Sequence, residues 1–345
     1  MVDHVAPDIG KAQGYSEIAA ALSEMKLLGE GEQFAIGKLA GGVSCDVYRV
    51  EIGDRTLCVK RALPRLRVEA DWRAPVERSH SEVEWIALVA GIDGRIVPRV
   101  LGEDRSRHLF AMPYYPPKQY PVWKSLLASG QIEIGFAARL GETLARIHAA
   151  TANRADIAHR FANGAQFHAL RLEPYLLHTA KRHPDVARRI RAISDHVAEA
   201  RIALMHGDFS PKNILCGPHG PLILDAETAC YGDPAFDLAF CLNHFALKCA
   251  WHREYVGAYL SAFGAFKDAY FAGMNWETAD EMDRRTTPLL AALMLARIDG
   301  KSPVEYLTAE RDKNFVRLTA KQFLRSSTNL DSLLAAWRAK LEAVI

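Results

Sequence analysis

The stretch from Met205 to Leu238 places two carboxylates and an amide in a fixed order along short apolar segments. Asp208 stands five residues before Asn213, and Asp225 ends the apolar run 222–224. Phosphoryl transfer to a hydroxyl needs a group that accepts the hydroxyl proton and hard oxygen ligands that hold a divalent metal on the nucleotide phosphates. The spacing therefore predicts that Asp208 is a catalytic carboxylate and that Asn213 and Asp225 bind magnesium.

The chain around these residues predicts a strand, a loop and a hairpin. Gly217 and Gly220 mark the turn of the hairpin. Pro211 disfavours helix at the residue before it, so we expect an extended loop between the first carboxylate and the amide. Three apolar pieces supply the strands, at residues 202–205, 213–216 and 221–224. Either aspartate alone would more often cap a turn or end a strand, and it is the ordered set that carries the prediction.

The same block resembles a family of small-molecule kinases. Asp208 and Asn213 have the spacing of the protein-kinase catalytic loop, and Asp225 stands where the metal-binding aspartate of those enzymes would stand. Gly207 replaces the arginine of the protein-kinase motif, and Ala226-Glu227 replaces its Phe-Gly. His206-Gly207-Asp208, Leu224-Asp225-Ala226-Glu227, Gly232-Asp233-Pro234 and Asp237-Leu238-Ala239 resemble the aminoglycoside phosphotransferase and choline kinase-like family.

The resemblance implies an α+β, two-lobed protein-kinase-like fold. Residues 1–113 would form a small nucleotide-binding lobe with a leading helix, an antiparallel sheet and one main helix. Residues 114–345 would form a larger, mainly helical lobe with the catalytic loop and the acceptor pocket. The length of 345 residues agrees, because it exceeds one ordinary hydrophobic core. Short apolar runs from Phe34 onward predict the antiparallel sheet independently, including strands at 97–102 and 108–112.

The first lobe offers candidate residues for ATP or another nucleotide. Lys60 ends a predicted strand among apolar neighbours, where a buried ammonium needs an anion. A helix predicted over residues 76–90 offers Glu82, with Glu84 as the competitor. By the resemblance, such a pair orients the lysine on the α- and β-phosphates.

Other nucleotide contacts are expected at a glycine turn and at the hinge. Gly41 and Gly42 allow backbone N–H groups to approach a phosphate, and Ser44 adds a hydroxyl, although adjacent glycines are as readily a plain turn. Met112 and Tyr114 fall where, by the resemblance, a kinase hinge meets adenine.

Several charged residues receive structural interpretations. By the resemblance, Asp237 either faces the start of the helix that follows it or braces the catalytic loop. Lys212 or another cation would take the place of the cation that is missing beside the transferring phosphoryl group. A solvated loop is predicted for the basic run Arg65, Arg67, Arg73 and Arg78. Acceptor candidates, each more readily a packing or surface residue, are Asn243, His244, Trp251, Trp276, Glu277, Asp280, Glu281 and Asp283.

Composition excludes several partners. With 43 basic and 41 acidic residues, the formal charge of +2 gives no general attraction to nucleic acid or membranes. The six cysteines form no CxxC pattern and mostly lie in apolar runs, which favours reduced thiols and a cytoplasmic protein. We also expect neither an export signal nor a membrane span.

The sequence therefore predicts an ATP-dependent phosphotransferase acting on a hydroxyl of a small molecule such as a sugar or an amino alcohol. An antibiotic phosphotransferase is one alternative, and a nucleotide-binding pseudokinase acting through protein partners is another. A protein kinase is disfavoured, because no activation loop fits between Asp225 and Gly232. Polycationic aminoglycosides are disfavoured as well, since the acidic cluster 277–283 is followed at once by Arg284 and Arg285.

Overall fold

A five-stranded antiparallel sheet forms the first part of the molecule. The computed structural model describes residues 9–39, 44–65, 75–326 and 328–343. The strands are β1 (Phe34–Lys38), β2 (Cys45–Ile52), β3 (Arg55–Ala62), β4 (Gly102–Asp104) and β5 (Leu109–Pro113), in the order β1-β2-β3-β5-β4. Because β3 pairs with β2 on one side and β5 on the other, Lys60 lies on the central strand.

Two helices pack on this sheet. Helix α1 (Ile9–Glu24) buries Ile18 and Leu22 against Val50 and Val59 of the sheet, which confirms the predicted leading helix. Helix α2 (Arg78–Asp93) buries Trp85 and further apolar side chains one turn apart. The ring of Trp85 lies 5.0 Å, centroid to centroid, from that of His206, so α2 contacts the catalytic loop directly.

The strand predicted at residues 97–102 is wrong. In the structure only Gly102–Asp104 pairs as β4, although the Leu101 N–H still donates to the Ala111 carbonyl. Pro98 lacks the N–H that a strand in the ladder would need, which explains the late start.

The rest of the chain is mainly helical, so the architecture is α+β. Helix α9, buried from Ala235 to Ala250, runs through the middle of the apolar core. The helices are α3 (Trp123–Ala128), α4 (Ile134–Thr151), α5 (Ala155–Arg160), α6 (Gly164–Phe167), a π-helix (His168–Leu177), α7 (His178–Arg182), α8 (Ala187–Glu199), α9 (Ala235–Trp251), α10 (Val256–Gly273), α11 (Ala279–Asp299), α12 (Glu310–Arg325) and α13 (Leu330–Glu342).

Two short strand pairs hold residues 205–238, named the catalytic block for their predicted role. Strand β6 (Ala203–Met205) pairs with β9 (Cys230–Gly232), and β7 (Ile214–Gly217) forms a hairpin with β8 (Gly220–Ile223), as the sequence predicts. The expectation of an extended loop between Asp208 and Asn213 is wrong, because residues 211–213 form a 3-10 turn. Proline is compatible with the first position of such a turn, where its missing N–H is not needed.

All six cysteines lie in described segments and are free thiols, five of them buried. Among the helices of the described residues, none combines the length and the apolar character that a membrane crossing requires.

Candidate active site

A cavity of about 740 Å³ lies between the sheet and the catalytic block. It brings together the sequence-predicted residues Ser44, Lys60, Glu82, Met112, Tyr114, Asp208, Asn213 and Asp225. Gly41 and Gly42 lie outside the described residues. The cavity is larger than one nucleotide-sized slot at the sheet, since it also reaches helices α9 and α11.

Lys60 is held by two carboxylates. Its Nζ lies 2.5 Å from Glu82 Oε2 on α2, and it also contacts Asp225 Oδ1. Burial opposes the charge of Lys60, but the carboxylates outweigh burial and raise its pKa. Glu84, the competing acid, is half-buried and instead lies 3.4 Å from Arg160. Lys60 is therefore a fixed ammonium at the sheet end of the cavity.

Asp208 is buried between two cations. Arg171 Nη2 and Lys212 Nζ each lie 2.9 Å from its Oδ2. Burial alone would favour the protonated acid, but Arg171 and Lys212 outweigh it and lower the pKa of Asp208. This carboxylate is thus ionised at neutral pH and able to accept a hydrogen bond from an acceptor hydroxyl.

The loop before Asp208 is held by Asp237. The Asp237 carboxylate accepts hydrogen bonds from the backbone N–H of His206 at 2.6 Å and of Gly207 at 2.9 Å, which confirms its predicted bracing role. Gly207 has φ 76°, and a Cβ there would lie 2.5 Å from the Thr228 carbonyl oxygen. Only glycine fits without strain, which explains why the arginine of the protein-kinase motif is absent.

Asn213 and Asp225 fit a hard divalent cation. The Asn213 Nδ2 donates to the Asp208 carbonyl at 3.0 Å, which leaves the amide oxygen for a metal. Cys45 and Glu227 each offer a ligand atom close to that of Asp225, all within 4.8 Å of one another. Burial raises the pKa of the Cys45 thiol to about 12, so it stays protonated and is a poor ligand. The oxygen donors therefore suit magnesium.

At the hinge, Tyr114 departs from a simple adenine contact. Its backbone N–H already donates to the Thr56 carbonyl at 3.1 Å, so it offers its ring and its carbonyl rather than that N–H. Met112 pairs with Cys58 across the sheet and lines the cavity. Ser44 is buried beside Cys45.

Arg78 corrects the interpretation of the basic run as a solvated loop. It is fully buried at the start of α2. Its Nε lies 2.9 Å from Glu227 Oε2, and its Nη2 donates to the carbonyls of Leu63, at 2.7 Å, and Ser44. Glu227 is thus engaged by an arginine. The sequence signal was weak, because nothing local distinguishes Arg78 from its solvated neighbours.

The predicted acidic candidates do not line the cavity; these are Glu277, Asp280, Glu281 and Asp283. Glu277 pairs with Arg285 at 2.6 Å, and Glu281 closes a capping box with Thr278 at the start of α11. Asn243 is buried in α9 away from the cavity lining. Of the predicted acceptor candidates, His244 does line it.

The far half of the cavity contains residues that sequence reasoning missed. They come from the π-helix, α3, α9, α11 and the segment after α11. They are Lys124, Tyr175, Phe240, Lys248, Arg297, Glu305 and Tyr306. No local motif joins them, because they lie in five separate segments.

Comparisons with known proteins give a matching family model and similar structures. The family model described as "Phosphotransferase enzyme family" matches residues 36–271. Methylthioribose kinase 1 of Oryza sativa subsp. japonica is 22% identical over 250 residues, which cover 64% of this chain and 58% of that protein. The chain thus spans less than two thirds of the curated relatives it matches.

Solved structures resemble the whole chain. An ethanolamine kinase of Plasmodium vivax superposes with a TM-score of 0.54 at 12% identity, covering 100% of this chain and 91% of that one. A choline/ethanolamine kinase family protein of Mesorhizobium loti gives 0.52 at 17%, covering 94% and 99%. A spectinomycin phosphotransferase in complex with ADP and spectinomycin gives 0.51 at 12%, covering 94% and 98%. At such identities these likenesses concern the fold, which is the two-lobed kinase-like fold.

Proposed function

Because the chain belongs to the phosphotransferase enzyme family, we propose that it transfers the γ-phosphoryl group of ATP, or of another nucleoside triphosphate, to a hydroxyl of a small molecule. The observation that carries this proposal is the convergence of Lys60, Asp208 and Asp225 on one cavity. A fixed ammonium, an ionised carboxylate and a metal-binding carboxylate are the groups that such a transfer needs.

The acceptor hydroxyl donates a hydrogen bond to Asp208. A bond forms between its oxygen and the γ-phosphorus while the bond to the bridging oxygen of the leaving diphosphate breaks. The hydroxyl proton passes to Asp208, whose low pKa makes this a late event after most of the phosphoryl transfer. Lys212 and Arg171, both beside Asp208, would offset the negative charge of the phosphoryl group during its transfer.

The nucleotide binds, in this proposal, between the sheet and the hairpin β7–β8. Lys60, kept in place by Glu82, contacts the α- and β-phosphates. Asn213 and Asp225 would hold Mg²⁺, which supplies charge neutralisation on the phosphates. The lobe boundary then falls between residues 113 and 114, where β5 ends.

Two wider aspects remain part of the proposal. The free cysteines favour a reducing compartment, so we propose a cytoplasmic location. Glu277 and Glu281 are engaged by Arg285 and Thr278 and do not line the cavity, so this acidic cluster does not serve a polycation there, which disfavours an aminoglycoside acceptor.

The test is turnover of ATP with a pool of hydroxylated metabolites, followed by mass spectrometry for a phosphorylated product. Asp208→Asn should keep the fold and nucleotide binding and lower kcat by about 10²–10⁴-fold, because it preserves shape but removes the proton acceptor. Asp195→Asn, an exposed acid on α8, is the matched control. Near-native turnover by Asp208→Asn would remove this residue from the mechanism, and modification of proteins instead of metabolites would overturn the substrate class.

A further inference from the structure

One face of α9 forms the wall of the cavity beyond Asp208. Phe240, His244 and Lys248 are four residues apart, so they lie in one row along the helix. The rest of α9 is buried in the apolar core. These three side chains are therefore the part of α9 that contacts a molecule bound in the far half of the cavity.

Lys248 is a buried ammonium that has no carboxylate partner in the part of the chain that the structure describes. It is 1% exposed, and within the described segments its Nζ makes neither a hydrogen bond nor an ion pair. It lies over the rings of Tyr306, at 4.4 Å, and Trp251, at 5.4 Å. Glu305, a nearby carboxylate, is bound to Lys124.

Two features of the fold offset part of the free-energy cost of burying the Lys248 ammonium. Lys248 lies in the last turn of α9, where the helix dipole favours a cation, and the two aromatic faces attract it. Burial, followed by Lys124, nevertheless lowers the pKa of Lys248 to about 8. The ammonium is thus under-compensated, which is the condition of a binding group that lacks its ligand.

Arg297 is a second cation on the same half of the cavity. Its Nη1 donates to Ser302 and lies 3.5 Å from the Tyr175 hydroxyl. Its Nε is buried without a partner among the residues that the structure describes, as is the Tyr306 hydroxyl. Two buried hydrogen-bond donors at one end of a cavity indicate that a bound molecule supplies the hydrogen-bond acceptor.

These cations belong to the acceptor end and not to the nucleotide end. Arg171, which binds Asp208, lies over one side of the Tyr175 ring at 5.9 Å, and Arg297 lies over the same ring at 5.6 Å. Lys248 lies about two helical turns beyond Phe240 on α9. Lys60 and the hinge residue Met112 lie on strands of the sheet, and the carboxylates that hold Lys60 are Glu82 and Asp225.

The charges of this half are unbalanced. Counted together with the adjacent pair Asp208 and Lys212, its lining has four cations against two carboxylates, and the two carboxylates are each already paired. The cations are Lys124, Lys212, Lys248 and Arg297, and the carboxylates are Asp208 and Glu305. Burial, Arg297 and Lys248 hold the pKa of His244 well below its ordinary value, so this residue is a neutral hydrogen-bonding group.

We propose that the acceptor carries an anionic group, a carboxylate or a phosphate ester, in addition to the hydroxyl that is phosphorylated, and that Lys248 and Arg297 bind this anion. The proposal rests on the proposed function for the identity of the cavity as an acceptor site. It narrows the acceptor from sugars and amino alcohols in general to hydroxylated anions, and it disfavours a cationic amino alcohol, whose ammonium would meet Lys248.

The test uses compounds that share a six-carbon polyol chain and differ in charge: gluconate, the phosphate ester of sorbitol, sorbitol and glucamine. Binding is measured by calorimetry on the full chain saturated with magnesium and a non-hydrolysable ATP analogue, which occupies the phosphate site. We expect at least one of the two anions to bind about 10-fold or more tightly than sorbitol, and glucamine to bind least. The stronger of the two anions distinguishes a carboxylate site from a phosphate site.

Lys248→Met keeps the shape of the side chain and removes its charge. It should lower the affinity for the anion about 10- to 100-fold, the loss expected for a charge-assisted hydrogen bond. Arg297→Gln should act in the same direction, and Lys181→Met, an exposed lysine on α7, should not. Preferred binding of sorbitol or glucamine, no binding of either anion, or an anion affinity unchanged by Lys248→Met would overturn the proposal.

ATP turnover by the same preparations separates the two hypotheses. Anion binding that depends on Lys248 without phosphorylation of any metabolite would leave the anion site standing and contradict the proposed function. Phosphorylation confined to neutral or cationic acceptors would leave the proposed function standing and contradict the anion site.

Discussion

Asp225 adopts a left-handed backbone conformation, with φ 68°, where β8 ends. Such a conformation in a non-glycine residue costs about 1–3 kcal/mol and is found where neighbouring contacts impose it. Here the Leu224 N–H donates to the Asn213 carbonyl at 2.8 Å, and Lys60 holds the carboxylate. The strain turns the side chain into the cavity, beside the ammonium.

We expect Asp225→Ala to weaken magnesium-dependent ATP binding, because a carboxylate is the strongest protein ligand for this hard cation. Asn213→Ala should act in the same direction. Calorimetry with and without magnesium measures the effect, and Asp195→Ala on α8 is the control. Equal ATP affinity of the unmodified protein in the presence and absence of magnesium would contradict the assignment.

Lys248 should reduce the stability of the free protein. A pKa lowered from 10.5 to about 8 means that the folded state binds the proton less tightly than the unfolded chain does. At one pKa unit per about 1.4 kcal/mol, the cost is on the order of 3 kcal/mol at neutral pH. Stability should therefore rise as the pH increases from about 8 towards 10.5.

Urea unfolding at pH 7 and at pH 9.5 measures this effect. Lys248→Met should be more stable than the unmodified protein at pH 7 and should lose the rise between the two pH values, whereas Lys181→Met should retain it. A less stable Lys248→Met would show that the lysine is a packing residue.

Local spacing limits which residues could be predicted from the sequence. Lys60, Asp208 and Asp225 follow short apolar runs, so their strand ends and their chemistry are visible together. Arg171 and Arg297 are ordinary helical arginines in the sequence, and their roles depend on which helices pack together. Only the packing of the helices against one another, and not the residue type, identifies these two arginines as site residues.

At the scale of elements, the catalytic loop depends on the backbone at Gly207. Gly207→Ala would require the same left-handed φ and a contact of 2.5 Å with the Thr228 carbonyl, so we expect a loss of stability of about 1–3 kcal/mol and a lower kcat. Gly264→Ala on α10 has open space around the new Cβ and should stabilise by about 0.5–1 kcal/mol. Chemical denaturation of both variants checks this, and equal effects would refute the strain argument.

Element boundaries show where sequence periodicity fails. The hairpin β7–β8 is predicted well, because short apolar runs flank the turn that Gly217 and Gly220 mark. The segment 168–177 is a π-helix with Pro174 inside it, a form that no hydrophobic pattern indicates. On this segment Tyr175 lines the cavity and Arg171 pairs with Asp208.

At the scale of the whole molecule, Arg78 joins parts that are distant in sequence. It contacts the carbonyls of Ser44 and Leu63 from the sheet region and Glu227 from the catalytic block. Arg78→Met should cost roughly 3–5 kcal/mol of stability, as expected when one partner of a buried ion pair is removed. The KM for ATP should rise as well, because the same residue fixes α2, which carries Glu82.

Thermal unfolding and ATP kinetics test this coupling. Arg188→Met, at an exposed position on α8, is the matched control. An Arg78→Met protein with unchanged stability and unchanged KM would show that the sheet and the catalytic block are held together by other contacts.

The row on α9 also sets a length. Phe240 and Lys248 are eight residues apart, which corresponds to about 12 Å along the helix axis. Phe240 contacts Tyr175, whose ring lies beside Arg171, the residue that binds Asp208. The Phe240 end of the row therefore faces the hydroxyl of the acceptor, and the Lys248 end faces its anionic group. A molecule that reaches both must carry its hydroxyl and its anion several bonds apart. We therefore expect chain length to govern selection as strongly as charge does, with two- and three-carbon hydroxy acids too short to engage both ends at once.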